Sequence, residues 1–441
     1  MNKLHYFLNV VVALVEMMYV RIICALGRRI CRNDSVQRDL STAGFHQEYR
    51  MLIFAYMGLG DAIMMLPMLR AIRHALPHAR IVALAMLPSP AHEILRLSGC
   101  VDRVDLFAFK QASVWKRLRL IARLQRERFD IVICPYTTPA PYFMRLIHSI
   151  PYRVGHVLPE SSLRHPNVSY IFTHPVRLSY NDRKHETERY RLLAEVLGIK
   201  TAAFQAAFEL APRANYSERA EERMREVGIP GDALLLGVHP AVGETMPWRQ
   251  WGIERLTAVL QHILDDYIHK GFTVCVVLFG SDADLPVLES MQQNLLGCAH
   301  STCSRSALKV QSAVKTLLIT PQHVCNSDDI PIEMTLAFLK KCHVLLANDG
   351  GIAHLAVAIG TPVVRIFGMT DYYGYRAIDS AHVSRHRDIW KGIPCSPCIG
   401  LGVVKRGYNL HTCGHHRCLN AITVQEVVEA VHNVVSASFG F

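Results

Sequence analysis

The sequence predicts an α/β protein in two similar halves, each a parallel sheet wrapped by helices. Three observations carry this. From residue 50 onward short β-branched runs alternate with longer helix-period runs, the pattern of βαβ units. A polar stretch broken by Pro and Gly, FELAPRANYSERAEERMREVGIPGDA, interrupts that alternation before a second series opens at LLLGVHP. The chain of 441 residues, half of them apolar and 19% charged, is long enough for two cores.

Taken in order, RMLIFAY, ARIVALAM, RVDLFAF, FDIVICPY and YRVGHV read as strands of the first half, with DAIMMLPMLRAIRHAL and AHEILRLS as helices among them. The second half reads LLLGVHP, FTVCVVLFG, HVLLAND and TPVVRIFG as strands. LTAVLQHILDDYI, MTLAFLKKC and GIAHLAVAIG are its helices. The expected division is 1–45 as an apolar and basic helical segment, 46–210 as the first α/β domain and 211–441 as the second. Open α/β sheets bind ligands beyond the carboxyl ends of their strands, so the loops there are where function is sought.

The first segment, LHYFLNVVVALVEMMYVRIICALGRRICR, is about long enough to span a bilayer. Asn9, Glu16 and Arg21 interrupt it, and Arg28, Arg29 and Arg32 gather at its end. A helix lying on anionic lipid, or a dimer element in a homo-oligomer, is therefore expected ahead of a true span. The net charge of +11 favours anionic partners. No aromatic-interleaved basic platform or nucleic-acid motif accompanies it, so nucleic acid is not expected. The thirteen cysteines, an odd number set in apolar runs, suit reduced thiols in a cytoplasmic protein.

Several constellations could carry chemistry. In YMGLGDAIMMLP, Gly58 and Gly60 permit a tight strand-to-helix turn with Asp61 at or near the N-cap, serving either as a cap or as a general base. In GVHPAVGETMPWRQWGIERL, Arg249 and Trp251 lead from a loop into a helix, a natural receptor for a diphosphate or else a solvated cation beside tryptophan. In HVLLANDGGIAHLAVAIG, Asp349 ends a strand, Gly350 and Gly351 open a helix, and His354 lies one turn inside. A basic amphipathic helix in KQASVWKRLRLIARLQRERFD carries Arg123 among its cations, beside an apolar stripe of Val114, Leu118, Ile121 and Leu124. Cys395, Cys398, Cys413 and Cys418 form a CxxC followed by a CxxxxC, a spacing that suits a structural zinc or iron site or none at all.

GLGDAIMMLPMLRAIR paired with NDGGIAHLAVAIGTPVVRIFG, together with HPAVGETMPWRQWGIERL and CSPC…CGHHRCLNAITVQEVVEAV, resembles the heptosyltransferases of glycosyltransferase family 9 over roughly residues 50 to 435. The resemblance implies a GT-B fold, two Rossmann-like domains facing across a cleft, with the extra amino-terminal helix outside it. It implies an ADP-heptose donor, no obligatory catalytic metal, and Asp61 as base. Asp349, Gly350, Gly351 and His354 match its donor-binding motif, with Asp349 on the sugar. Where the family usually has lysine before the tryptophan, this chain has Arg249. Asp284, preferred over Asp282, matches the acidic residue for the adenosine ribose, and His185 and Arg189 join Arg123 as acceptor contacts.

The function so implied is inverting transfer of heptose to a lipopolysaccharide inner-core acceptor, on the cytoplasmic face of an anionic inner membrane. A protein acceptor is the alternative, because a branch of the family that modifies autotransporters binds iron through a four-cysteine finger. A non-catalytic GT-B binding protein is a further alternative, against which the retained Asp61, Asp349 and His354 weigh.

Overall fold

A computed structural model of the chain describes residues 48–86, 89–108, 111–135, 143, 146–147, 149–157, 171–179, 182–204, 208–242, 247–301, 314–320, 331–378, 385–400, 403–404, 413 and 416–439. Two compact units divide the chain: Met1–Gly58 with Met64–Ala207, and Leu59–Ile63 with Phe208–Phe441.

The first unit runs β1 (Arg50–Ala55), α1 (Leu59–Ala75, whose start Leu59–Ile63 groups with the second unit), β2 (Arg80–Met86), α2 (Ala91–Leu97), β3 (Arg103–Phe107), α3 (Val114–Arg126), β4 (Ile131–Cys134), β5 (Tyr152–Val157), β6 (His174–Arg177) and α4 (Glu186–Glu195). Its six strands are all parallel in the order β3-β2-β1-β4-β5-β6. The central strands β1 and β4 are buried almost throughout, as a sheet covered on both faces requires. Leu52, Phe54, Val82, Leu84 and Val132 meet Leu120, Ile121 and Leu124 of α3 in one core.

The second unit runs α5 (Ala214–Glu226), β7 (Leu234–His239), α6 (Ile253–His269), β8 (Val274–Phe279), α7 (Leu285–Ser301), β9 (Val314–Ile319), α8 (Pro331–Lys341), β10 (Val344–Asn348), α9 (Gly351–Ala358), β11 (Val363–Ile366), α10 (Tyr372–Tyr375), β12 (His386–Ile389), the short hairpin β13 (Ile399–Gly400) and β14 (Val403–Val404), α11 (Arg417–Asn420) and α12 (Val424–Phe439). Its main sheet is again six parallel strands, in the order β12-β11-β10-β7-β8-β9. Counted from each unit's own first strand, both sheets read 3-2-1-4-5-6, the doubly wound order. The order reverses between β1 and β4 in one unit and between β7 and β10 in the other. The crevice at such a reversal is where this architecture takes its ligand.

The α/β expectation agrees with these elements, but β6, β9 and β12 were not anticipated. The apolar segment 1–45 lies outside the described residues. Among the described residues, no helix is long and apolar enough to cross a membrane.

One close approach in the first unit tests its packing. A Cβ added at Gly155 of β5 would lie 2.2 Å from the Phe172 ring, which is 6% exposed and cannot swing clear. Gly155→Ala is therefore expected to lower stability by about 1–3 kcal/mol through overpacking, read as a shifted denaturation midpoint. An unshifted midpoint would mean that this contact is not made.

Candidate functional site

The loops that leave β7 and β10, the two strands at the reversal in the second sheet, build one cluster of charged side chains. After β7 the chain reaches Trp251, which is 3% exposed and fixes the loop in two directions. Its backbone N–H donates to Asn348 Oδ1 at 3.0 Å, and its ring Nε1 donates to the Leu419 and Ile422 carbonyls at 3.1 and 3.3 Å. Gly252 follows at φ 107°, a left-handed conformation that favours glycine, and caps α6. Asn348 ties β10 to the same loop by donating its Nδ2 to the Pro240 carbonyl at 2.9 Å.

That framework holds Arg249 two residues before the buried indole. Its Nη2 donates to Asp349 Oδ2 at 2.5 Å, and its Nε donates to Thr370 Oγ1 at 3.1 Å. The other carboxylate oxygen, Asp349 Oδ1, lies 3.6 Å from His354 Nε2. Behind His354 stands Arg365 of β11, wholly buried, with Nη1 3.3 Å from His354 Nδ1. An arginine only donates, so Nδ1 accepts and the ring proton sits on Nε2, toward Asp349. Arg365 in turn makes a bidentate pair with Asp388 of β12 at 2.8 and 2.9 Å, and its guanidinium lies 4.9 Å from the Phe367 ring centre.

The electrostatics follow from this arrangement. Burial alone would raise the Asp349 carboxyl, but Arg249, His354 and Arg365 outweigh it and hold the group well below the usual carboxylate range. His239, at the end of β7, is pushed down to about 4 by desolvation, against the opposing pull of Asp284, and stays neutral. Gly350 sits at the N-cap of α9 with extended backbone, and no side chain caps that helix. Its first amides, beside the Arg249 guanidinium, make a seat for an anion.

Arg249, anticipated in one motif, and Asp349, Gly350, Gly351 and His354, anticipated in another, are thus brought together within one unit. Asp349 is only 2% exposed and anchors Arg249. Thr370, Arg365, Asp388 and Asn348 were missed. The one signal for them was a charged residue, Arg365, inside the otherwise apolar run TPVVRIFG.

The other anticipated residues lie outside this cluster. Asp61 is half-buried in the first turn of α1 and is not the cap, which is Gly58. Asp284 closes a capping box, its Oδ2 accepting from Ser281 N–H at 2.9 Å and Ser281 Oγ at 2.6 Å. His185, buried, caps α4 by accepting from Thr187 N–H at 3.2 Å, so it is a structural residue rather than an acceptor contact. Arg189 is 1% exposed and held by Glu186 and by Asp182, the latter at 2.8 Å, which removes it from any acceptor surface. Arg123 is half-exposed and bound to Asp105 at 2.9 Å.

A metal at the four cysteines gains no support: among the described residues, no group of three or more His, Cys, Asp or Glu could hold a metal ion. Cys395 is exposed, Cys413 intermediate, and Cys398 and Cys418 are buried. Burial, with Cys395 and Cys413 nearby, raises the Cys418 thiol.

Residues 328–404 match the model of glycosyltransferase family 9 (heptosyltransferase). Lipopolysaccharide heptosyltransferase 2 of Salmonella typhimurium is 22% identical over 395 residues, 88% of this chain and 99% of that protein. A family 9 glycosyl transferase from Veillonella parvula superposes with a TM-score of 0.64 at 18% identity, covering 89% of this chain and 98% of that one. ADP-heptose lps heptosyltransferase II of E. coli does so at 0.59 and 18%, covering 88% and 99%. The fold is GT-B.

Two outcomes are expected from the buried cluster. Because the folded value of Asp349 lies below the unfolded value near 4, its charge contributes stability above that pH, and the contribution is lost as the pH falls through the folded value. The stability gap between the unmodified chain and Asp349→Asn should accordingly be full at pH 7 and narrower at pH 3, by urea denaturation. Arg365→Met leaves Asp388 buried without its partner and should cost about 3–5 kcal/mol, most of it recovered in Arg365→Met with Asp388→Leu. A loss under about 1 kcal/mol in the single variant would contradict the pairing.

Proposed function

We propose that this chain, which belongs to glycosyltransferase family 9 and is a glycosyltransferase, moves heptose with inversion from ADP-heptose to a lipopolysaccharide inner-core acceptor. The observation that carries the reading is the Arg249–Asp349–His354 cluster beside the uncapped start of α9, at the reversal of the second sheet. It supports the donor because a nucleoside diphosphate needs fixed positive charge and backbone donors where its negative charge grows. An E. coli heptosyltransferase of the same fold has been solved with ADP, at a TM-score of 0.53 and 16% identity over 87% of this chain and 99% of that one.

In this mechanism Asp61 accepts the proton of an acceptor hydroxyl as that oxygen bonds to the anomeric carbon from the face opposite ADP. The anomeric C–O bond to the diphosphate breaks, and its electron pair leaves with ADP. Arg249 and the α9 amides meet the charge that develops there. Asp349 and Thr370 orient the Arg249 fork by accepting from it, and His354, set by Arg365, sits on the far side of the carboxylate. The net charge of +11 suits a phosphorylated, lipid-linked acceptor at the cytoplasmic face of an inner membrane. A protein acceptor is the alternative, for which a metal bound firmly at the four cysteines would argue.

Single-turnover ADP release from ADP-heptose, with and without purified lipid-linked core acceptor, tests the reading. Release should require acceptor and fall roughly 10²–10⁴-fold in Asp61→Asn while donor affinity is kept. Arg249→Ala should lower release about 10²–10³-fold, with Arg249→Lys between. Donor binding without release on this acceptor would exclude the lipopolysaccharide assignment. Absence of donor binding would exclude the donor.

A further inference from the structure

Helix α3 turns an unusual face to solvent. Ser113 caps it, accepting from the Lys116 N–H at 3.4 Å, and Leu120, Ile121 and Leu124 fasten its inner side to the first core. The outer side carries Trp115, 78% exposed, and Leu118, 48% exposed. Among the described residues, Val196 is the one other large apolar side chain exposed to a comparable degree, at 38%. Leu118, expected in the buried stripe, is therefore on the outside, and Leu120 takes the inner place.

Positions 115, 118, 119, 122 and 126 fall on one helix face, which reads Trp, Leu, Arg, Ala, Arg. Lys116 lies at its margin, and the thirteen residues of α3 include no acid. Arg123, two turns on from Lys116 and tied to Asp105, continues the same margin. Apolar tips at one end of a face that otherwise bears only positive charge match a surface with negative headgroups above an apolar layer. An indole prefers that boundary, where its ring is in the acyl region and its N–H in the headgroups. A nucleic-acid surface would stack bases on its aromatic in a cationic groove, and a leucine beside the indole adds nothing to that.

We propose that α3 is a docking helix for an anionic phospholipid bilayer, with Trp115 and Leu118 at the headgroup–acyl boundary and Lys116, Arg119 and Arg126 on lipid phosphates. The proposal concerns the surface of the first unit and stands independently of the transferase reading. Because the helix is anchored through its inner side, the tips insert while the unit stays folded.

Trp115 is also the probe. The other three tryptophans, Trp248, Trp251 and Trp390, belong to the second unit and are buried or half-buried, and residues 1–47 contain none. Emission of the full chain would be followed on adding vesicles with brominated acyl chains, and the spectrum of Trp115→Phe subtracted. Vesicles containing phosphatidylglycerol should shift the Trp115 component to the blue and quench it, and pure phosphatidylcholine should leave it unchanged. A variant with Lys116→Gln, Arg119→Gln and Arg126→Gln, its fold checked by circular dichroism, should need about a hundredfold more anionic lipid for the same quenching. Any of three results overturns the proposal: no quenching by anionic vesicles even where the chain co-sediments with them, equal quenching by neutral ones, or a response of Trp115 to a single-stranded oligonucleotide alone.

Discussion

The buried carboxylate of Asp349 is the constraint on which the candidate site depends. A carboxylate at 2% exposure cannot stay charged without compensation, because its desolvation would otherwise neutralise it. Compensation comes from two directions, Arg249 on one oxygen and His354 toward the other, with Arg365 behind the imidazole. The same pairings that keep the charge affordable inside the protein also fix where Arg249 stands. Charge compensation and ligand geometry are one arrangement here, so a change to any member moves both.

The doubly wound order explains why these residues meet at all. β7 and β10 are neighbours in the sheet although about a hundred residues separate them, and the strand order reverses between them. Their carboxyl ends therefore deliver Arg249 and Asp349 to one crevice. β11 and β12 then supply Arg365 and Asp388 from the adjoining side, paired in register as Arg365 with Asp388. Asp349 follows the end of β10 and Arg365 and Asp388 sit on β11 and β12, while Arg249 comes from the loop after β7 and His354 from α9, so the sheet sets the frame that these elements share.

What was legible in the sequence follows from the same physics. Strands buried on both faces are continuous apolar runs, so RMLIFAY, FTVCVVLFG and HVLLAND could be read directly. β6, β9 and β12 lie at sheet edges and carry polar or charged residues, HPVR, VKTLLI and HRDI, which erase that run. The glycine turns and the separate charged residues were visible as local patterns, but their partners were not. Thr370 and Asp388 are ordinary residues until the fold sets them beside arginines, and His185 and Arg189 look like exposed helix residues until β5 and the Asp182 turn enclose them. Spacing reports what shares a helix face or a turn; it does not report which strand lies next door.

The arginine at position 249 illustrates how the cluster constrains substitution. A lysine there would keep the positive charge, yet its ammonium is a point at the end of a flexible stem. The guanidinium is a planar fork, and in this chain its Nη2 and Nε engage Asp349 and Thr370 at once, from different elements. Those two bonds fix the plane of the fork, while its 20% exposure leaves part of the charge facing outward. A lysine could neutralise Asp349 but would hold no defined orientation toward an anion. Thr370 is thus a partner that makes use of what only arginine provides.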